Sequence, residues 1–182
     1  DVGCGKTIVA QISMYANQLA GYQSALLAPT EILARQHVKN MHKLGLEATL
    51  YVSSLAAKEK KEILEKLENG KIFNVVGTHA LFQENVVFHK LGLVIVDEQQ
   101  RFGVKQRRSL LEKGKCVDFL MMSATPIPRT YAHFLYGDMD ISSIHTMPEG
   151  RRPVITKYFK TSSMAPCLKD VLNFIKEGRQ CY

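Results

Sequence analysis

Two short polar segments of the sequence carry residue types that could hold a phosphate chain and a divalent cation. The first opens the chain, Asp1-Val-Gly-Cys-Gly-Lys-Thr7, and has the last seven positions of the phosphate-loop pattern G-x-x-x-x-G-K-[ST]. The second is the carboxylate pair Asp97-Glu98, which follows the apolar run Leu93-Val-Ile-Val96. Because one segment offers N–H and ammonium donors and the other offers carboxylates, the sequence predicts phosphate chemistry assisted by a metal ion.

The opening segment predicts a nucleotide-binding loop at the start of a helix. In such a loop the backbone N–H groups point into one concavity, and a glycine at Gly5 lets the phosphate approach closely. Lys6 is expected to reach the β and γ phosphates of a nucleotide, and Thr7 to place its hydroxyl on Mg²⁺. The predicted nucleotide-binding residues are Gly3, Cys4, Gly5, Lys6 and Thr7. The alternative for this segment alone is an ordinary glycine-rich helix start.

The Asp97-Glu98 pair predicts the acidic half of the same site. Parallel sheets place their ligand sites at the carboxyl ends of strands, and the pair stands at such an end. Asp97 is expected to hold Mg²⁺, directly or through water, and Glu98 to orient the attacking water and accept its proton. Lys6, Asp97 and Glu98 are the predicted catalytic residues, with Thr7 and Asp97 as metal ligands. The alternative is a solvated carboxylate pair at a strand end.

The elements that must position these residues follow from the hydrophobic pattern. Helical periodicity alternates with short apolar runs bounded by Gly, Pro or charged residues, which is typical of βαβ units. Predicted helices span Thr7–Leu19, Glu31–Leu44 and Ala56–Glu68, and predicted strands span Ser24–Ala28, Ala48–Val52, Ile72–Gly77, Leu91–Asp97 and Asp118–Ser123. Right-handed βαβ units imply a mainly parallel sheet covered on both faces, so the predicted fold class is a three-layer α/β domain.

A change of composition near residue 148 predicts a domain boundary. The segment Pro148-Glu-Gly-Arg-Arg-Pro153 concentrates proline, glycine and charge, as linkers do. Beyond it, a strand-like stretch (Val154–Phe159) precedes a helix-like one (Ala165–Lys176). The predicted organisation is therefore a first domain over residues 1–147, a linker over residues 148–153, and the beginning of a second α/β domain over residues 154–182.

Composition bounds the class of protein and its partners. With 182 residues, 46% of them hydrophobic, the chain can bury a substantial core. Its 24 Lys and Arg against 17 Asp and Glu give a net charge of +7, which suits a polyanion such as nucleic acid. The four cysteines are far apart without metal-site spacing, and no apolar run is long enough to span a membrane. These features predict reduced thiols, a cytoplasmic location and no membrane partner.

A larger set of short motifs connects the sequence with a known family. The motifs are Asp1 to Thr7, Ala28-Pro-Thr-Glu-Ile-Leu-Ala34 with Gln36-His37, Gly77-Thr-His-Ala-Leu81, Asp97-Glu-Gln-Gln-Arg-Phe-Gly103 and Ser123-Ala-Thr-Pro-Ile-Pro-Arg-Thr130. With these motifs the chain resembles superfamily 2 helicases, and within them the RecG family of branch-migrating DNA helicases. The resemblance implies a RecA-like P-loop NTPase domain followed by the start of a second, the use of ATP and Mg²⁺, and a bacterial monomer that acts on branched DNA.

The resemblance also assigns roles to residues at the ends of strands. It implies that the phosphate state is coupled to the neighbouring domain by Gln99, Gln100, Ser123 and Thr125. It implies DNA contacts by Thr30, Gly77, Thr78 and Arg129. The sequence departs from the family pattern at Cys4, where serine is usual, and at Gln100, where histidine is usual. Because Gln100 can still donate and accept hydrogen bonds, we expect altered coupling without loss of hydrolysis.

Two alternatives to this interpretation stay open at the level of sequence. Transcription-repair coupling translocases share the Arg-Phe-Gly and Ala-Thr-Pro-Ile-Pro-Arg-Thr stretches, and a non-catalytic nucleotide-binding or nucleic-acid-binding module would need only part of the loop.

Since the nucleotide in such helicase motors lies between two lobes, we expect the isolated chain to bind nucleotide weakly and to turn it over very little. Of the six histidines, His79 belongs to the Gly77-Thr-His-Ala-Leu81 motif, where we expect it to have a structural role. His37, His42, His89, His133 and His145 are expected on helix surfaces or in packing.

Overall fold

The computed structural model describes residues 5–98, 110–124, 140–144, 156–159 and 164–181. Helices and strands alternate along the chain from residue 6 to residue 97, and a fifth strand follows at residues 118–122. In order they are α1 (Lys6–Leu19), β1 (Gln23–Leu27), α2 (Glu31–Lys43), β2 (Thr49–Tyr51), α3 (Ala57–Glu68), β3 (Asn74–Gly77), a short 3₁₀ helix (His79–Phe82), β4 (Leu91–Asp97) and β5 (Asp118–Met122). A last helix, α4 (Met164–Lys176), lies further along the chain.

The described strands form one five-stranded sheet in the order β2-β3-β1-β4-β5. Every pair in it is parallel, with Leu27 opposite Gly77 on one side and Val96 on the other, and with Asp97 opposite Met122. The inner strands β1, β3 and β4 are buried almost along their whole length, because helices cover both faces of the sheet. The predicted three-layer α/β architecture with a parallel sheet is confirmed.

The core lies on both faces of the sheet. On one face α1 and α2 pack against alternate strand residues, and this cluster includes Ala10, Met14, Leu26, Ala34, Met41, Val76 and Ile95. On the other face α3 and the 3₁₀ helix pack against the remaining strand residues, and this cluster includes Leu27, Leu67, Val75, Leu81, Val94 and Val96. Because neighbouring strand residues point to opposite faces, each central strand contributes to both clusters.

Local sequence explains where α2 begins. Thr30 is extended, with φ of −134°, and its hydroxyl accepts a hydrogen bond from the N–H of Leu33 at 3.3 Å. Threonine is a preferred residue at this capping position, since it satisfies an N–H that has no partner within the helix. One residue later, Glu31 forms an i,i+4 ion pair with Arg35 at 2.7 Å. Both contacts fix the first turn of α2.

A buried glutamine holds the amino edge of the sheet together. Gln23, the first residue of β1, is 1% exposed. Its amide nitrogen donates to the carbonyls of Leu67 (2.9 Å) and Ile72 (2.7 Å), and its amide oxygen accepts from the N–H of Lys90 (2.9 Å). One side chain therefore connects the end of α3 with the segments that lead into β3 and β4.

Contacts divide the chain into two compact units, Asp1–Pro148 and Glu149–Tyr182. In the second unit α4 exposes large apolar residues, and Lys157 forms an ion pair with Asp170 at 2.5 Å. The predicted linker, residues 148–153, lies outside the described residues. Of the strand predicted over Val154–Phe159, the structure describes residues 156–159, and these residues do not form a strand. Within the described ranges, every helix is too short or too polar to cross a membrane.

We expect Gln23→Leu to lower the free energy of unfolding by about 3 kcal/mol or more, since two buried carbonyls and one N–H would lose their partner. Urea denaturation of the chain measures this. The exposed Gln83→Leu is the control and should change the free energy by less than about 0.5 kcal/mol. Equal losses in the two variants would show that the hydrogen bonds of Gln23 do not stabilise the sheet.

Candidate active site

The parallel sheet brings the ends of four neighbouring strands to one edge. Since β3, β1, β4 and β5 are hydrogen-bonded in that order and run the same way, the residues that follow them lie side by side. These residues are Thr78 after β3, Ala28 after β1, Glu98 after β4 and Ser123 after β5. The carboxyl edge therefore collects most of the described residues to which the sequence assigns chemistry.

The first turn of α1 points to this same edge. Near the other end of α1, Asn17 donates to the carbonyl of Gln23 (3.0 Å) and to the hydroxyl of Ser24 (2.8 Å), so this end lies beside the start of β1. A helix of 14 residues is roughly 21 Å long, about the length of the neighbouring strands or slightly more. Gly5, the residue before the helix, therefore lies towards the carboxyl ends of the strands.

The start of α1 has the local geometry of an anion site. Gly5 adopts a left-handed conformation, with φ of 95°, which favours glycine, and among the described residues a Cβ added there would meet Ile8, at 3.8 Å. As glycine it offers no capping side chain, and the first turn contains no acidic residue. Lys6 and Thr7 are half-buried there. The positive end of the helix dipole at this turn favours the binding of a phosphate. The predicted binding residues Gly3 and Cys4 lie outside the described residues.

The carboxylate pair stands at the end of β4. One oxygen of Asp97, Oδ1, accepts a hydrogen bond from the backbone N–H of Glu98 at 3.0 Å. Glu98 has φ of 51°, which lies in the left-handed region that residues other than glycine rarely adopt. Such conformations cluster at functional sites, where the surrounding structure holds them against their local cost. The backbone turns sharply after Asp97, so the two adjacent carboxylates can serve different tasks.

The other oxygen of Asp97 contacts a residue from α2. Nε2 of His37 lies 3.0 Å from Oδ2 of Asp97, although the two residues are 60 positions apart in the chain. His37 is 6% exposed and belongs to the buried face of α2 between Ala34 and Met41. Packing was the expected role of this histidine, and its contact with Asp97 was not predicted. The signal in the sequence is its spacing, three residues after Ala34 and four before Met41.

Oxygen donors at this edge suit a hard cation. Mg²⁺ keeps several of its waters and usually takes only one or two carboxylates from a protein. Among the described residues, three or more His, Cys, Asp or Glu side chains do not come together in a group that could hold a metal ion. The hydroxyl of Thr7 and the carboxylate of Asp97 therefore fit Mg²⁺ bound together with a phosphate chain, and they do not form a closed structural metal site.

The residues predicted to face DNA differ in exposure. Thr30 is exposed at the start of α2, whereas Thr78 is only 6% exposed. Gly77 ends β3 so close to β2 that an added Cβ would lie 2.2 Å from the carbonyl oxygen of Tyr51. Glycine is required there for this close approach of two backbones. Arg129 lies outside the described residues.

Glu31 ties the first turn of α2 to the segment after β2. Its carboxylate accepts hydrogen bonds from the hydroxyl of Ser54 at 2.7 and 2.8 Å. The Ser54 hydroxyl, and then the Arg35 guanidinium, lower the pKa of the Glu31 carboxyl, because both favour its charged form. The first turn of α2 is thus held from two sides.

The residues predicted to couple the site to a second domain are only partly described. Ser123 follows β5 directly and is half-buried at the carboxyl edge. Gln99, Gln100 and Thr125 lie outside the described residues. Of the coupling set, the structure therefore brings Ser123 to the same edge as Asp97 and Glu98.

Comparison with known proteins gives consistent findings. The model of the DEAD/DEAH box helicase family matches residues 1–134. The chain is 51% identical to the ATP-dependent DNA helicase RecG of Staphylococcus aureus (strain NCTC 8325 / PS 47), a match that covers 100% of this chain and 27% of the relative. A RecG of Staphylococcus epidermidis is also 51% identical, with the same coverage. The chain thus spans about a quarter of the length of these relatives.

Solved structures extend the comparison to the fold. A structure of RecG bound to a three-way DNA junction matches 98% of this chain and 24% of that chain, with a TM-score of 0.77 and 43% identity. The helicase MrfA bound to DNA matches 71% of this chain and 19% of that chain, with a TM-score of 0.55 and 19% identity, which supports the fold alone. The predicted RecA-like α/β fold and the resemblance to superfamily 2 helicases and RecG are confirmed.

The left-handed backbone at Glu98 makes a prediction about stability. We expect the free energy of unfolding of Glu98→Gly to be about 1 kcal/mol higher than that of Glu98→Ala. The left-handed conformation costs a residue with a Cβ roughly 1–2 kcal/mol, and the entropy that glycine loses on folding offsets part of this difference. Both variants lack the carboxylate, so each controls for its loss. Urea denaturation compares them, and an alanine variant as stable as the glycine variant would contradict the strained backbone.

Proposed function

The chain belongs to the DEAD/DEAH box helicase family, and from this premise we propose that it is the ATP-hydrolysing first motor domain of a DNA helicase that remodels branched DNA. One observation carries the proposal. The first turn of α1 and the Asp97-Glu98 pair share the carboxyl edge of one parallel sheet. Phosphate binding and water activation can therefore meet at one place.

In the proposed mechanism each described site residue has one task. The backbone N–H groups at the start of α1 bind the phosphate chain of ATP, and the Lys6 ammonium contacts its β and γ phosphates. Thr7 and Asp97 are the residues that would hold Mg²⁺, which supplies positive charge to the phosphates. Glu98 orients the attacking water and accepts its proton. Gly3 and Cys4 add backbone donors to the same loop.

The remaining site residues serve DNA and the neighbouring domain in this proposal. Thr30 and the backbone at Gly77 and Thr78, with Arg129, contact DNA phosphates, which fixes position without reading sequence. Gln99, Gln100, Ser123 and Thr125 couple the phosphate state to a second lobe. The net charge of +7 supports a DNA partner through long-range attraction.

We also propose the domain organisation that the sequence predicts. Residues 1–147 form the first RecA-like domain, residues 148–153 the linker, and residues 154–182 the beginning of the second RecA-like domain. The division of contacts at Pro148 and the exposed apolar residues of α4 support this arrangement. Since arginines of a second lobe stabilise the transition state in related motors, the 182-residue chain should bind ATP weakly and hydrolyse it very slowly by itself.

Nucleotide binding can be measured as a rise in thermal stability. At tenfold the dissociation constant, Mg²⁺-ATP should add about 1.4 kcal/mol to the free energy of unfolding, a rise in Tm of roughly 3–5 °C. Lys6→Ala should abolish most of the rise, and Lys58→Ala, on the exposed face of α3, should keep it. An equal rise in Lys6→Ala would contradict the proposed site and favour binding elsewhere on the chain.

Hydrolysis separates an enzyme from a binding module. Glu98→Gln should keep the rise in Tm with Mg²⁺-ATP but lower phosphate release by about 100-fold or more, because general base catalysis contributes a factor of that order. Phosphate release is measured in the presence of branched DNA, on a protein that includes the second motor lobe. Unchanged release in Glu98→Gln would remove Glu98 from the mechanism.

A further inference from the structure

A buried histidine that the proposed mechanism does not use lies against one of its carboxylates. His37 is 6% exposed, and its Nε2 lies 3.0 Å from Oδ2 of Asp97. The side chain of Asp97 is itself only 16% exposed. A polar side chain that is buried this deeply needs a hydrogen-bond partner, and Asp97 provides it. The contact joins α2 to the end of β4.

The direction of this hydrogen bond follows from the chemistry of the two groups. An ionised carboxylate only accepts hydrogen bonds, so Nε2 of His37 must carry a hydrogen and donate it to Asp97. This assignment holds for the neutral imidazole in its Nε2–H form and for the imidazolium alike. The role of His37 therefore does not depend on its charge.

Two donors fix the orientation of the Asp97 carboxylate. Oδ2 accepts from His37, and Oδ1 accepts from the N–H of Glu98 at 3.0 Å. Both oxygens of the group are held, so it cannot rotate freely about its last bond. A carboxylate has about four acceptor positions, and two of them stay available for a cation or its waters. Outer partners of this kind orient ligands in metal sites and raise metal affinity.

The packing of α2 fixes the position of the donor in turn. Ala34 and Met41 lie on the same face of the helix as His37, and both are fully buried. The helix is also anchored at its first turn, where the Thr30 hydroxyl accepts a hydrogen bond from the N–H of Leu33 and Glu31 contacts Ser54. His37 is therefore presented from a rigid element and not from a loop.

We infer that His37 is a positioning residue, which holds the Asp97 carboxylate in the orientation that the Mg²⁺-nucleotide complex requires. The inference rests on the proposed function of this edge of the sheet, and it adds a residue to which the motifs give no catalytic task. Loss of the donor should weaken the response to Mg²⁺ while the phosphate loop stays intact. A merely structural histidine would instead affect stability alone.

The test follows the rise in Tm of the 182-residue chain at fixed ATP while Mg²⁺ is titrated. His37→Leu removes the donor, and His37→Gln keeps an N–H at similar reach. We expect the half-saturating Mg²⁺ concentration to rise about tenfold or more in His37→Leu, the range seen when outer partners of metal ligands are removed. It should stay within about threefold of wild type in His37→Gln. His42→Leu, a histidine of the same helix that contacts Ala48 instead, should leave it unchanged.

The outcomes distinguish a failure of the proposed nucleotide site from a failure of the role of His37 alone. If the wild-type chain shows no Mg²⁺-dependent response to ATP, the proposed nucleotide site fails and the role of His37 fails with it. If the wild type responds and His37→Leu matches it, only the role of His37 is overturned. Should His37→Leu not fold, ¹⁵N NMR of the wild-type histidine rings decides. Protonated Nε2 signals of His37 that shift on addition of Mg²⁺-ATP support the inference, and unshifted signals overturn it.

Discussion

The common direction of the five strands is the constraint on which the rest of this structure depends. A chain that makes only parallel pairs must return to the same edge after every strand, and the helices that carry it back cover both faces of the sheet. The strand ends at Gly77, Leu27, Asp97 and Met122 then fall on one edge, and the start of α1 points to it. Residues far apart in sequence meet there without any special loop.

The two edges of the sheet use buried polar side chains in different ways. At the amino edge, Gln23 uses both of its N–H donors and its oxygen in three hydrogen bonds to backbone groups and holds segments together. At the carboxyl edge, Asp97 accepts two hydrogen bonds and keeps acceptor capacity for a further partner. This difference separates a structural polar group from one that can act on a ligand, and the left-handed Glu98 stands beside the second kind.

Much of the fold could be predicted because the hydrophobic pattern and the glycine and proline positions are strong local signals. The strand Leu91–Asp97 has the predicted bounds, and the other predicted helices and strands of the first unit differ by one or two residues at their ends. The 3₁₀ helix His79–Phe82 was not predicted. The strand expected over Val154–Phe159 is not found at residues 156–159, since an apolar run becomes a strand only beside a partner. Local sequence cannot provide that partner.

The site was predictable as a set of motifs but not as a set of contacts. Patterns identify Lys6, Thr7, Asp97 and Glu98 by residue type and order, and their assigned roles are still proposals. The contact between His37 and Asp97 depends on where α2 lies relative to the end of β4, which no spacing within one segment encodes. The left-handed backbone of Glu98 is equally hidden, because glutamate does not mark such a conformation as glycine does.

The most direct test of the shared edge is a ¹H–¹⁵N NMR titration of the chain with Mg²⁺-ATP. If one site binds both phosphate and metal, the largest chemical-shift changes occur in the backbone amides of Gly5, Lys6 and Thr7. The amides of Asp97, Glu98 and Ser123 shift together with them, as in one binding event. Changes confined to other parts of the chain, or changes at the start of α1 without any at the end of β4, would contradict a single phosphate and metal site at the carboxyl edge of the sheet.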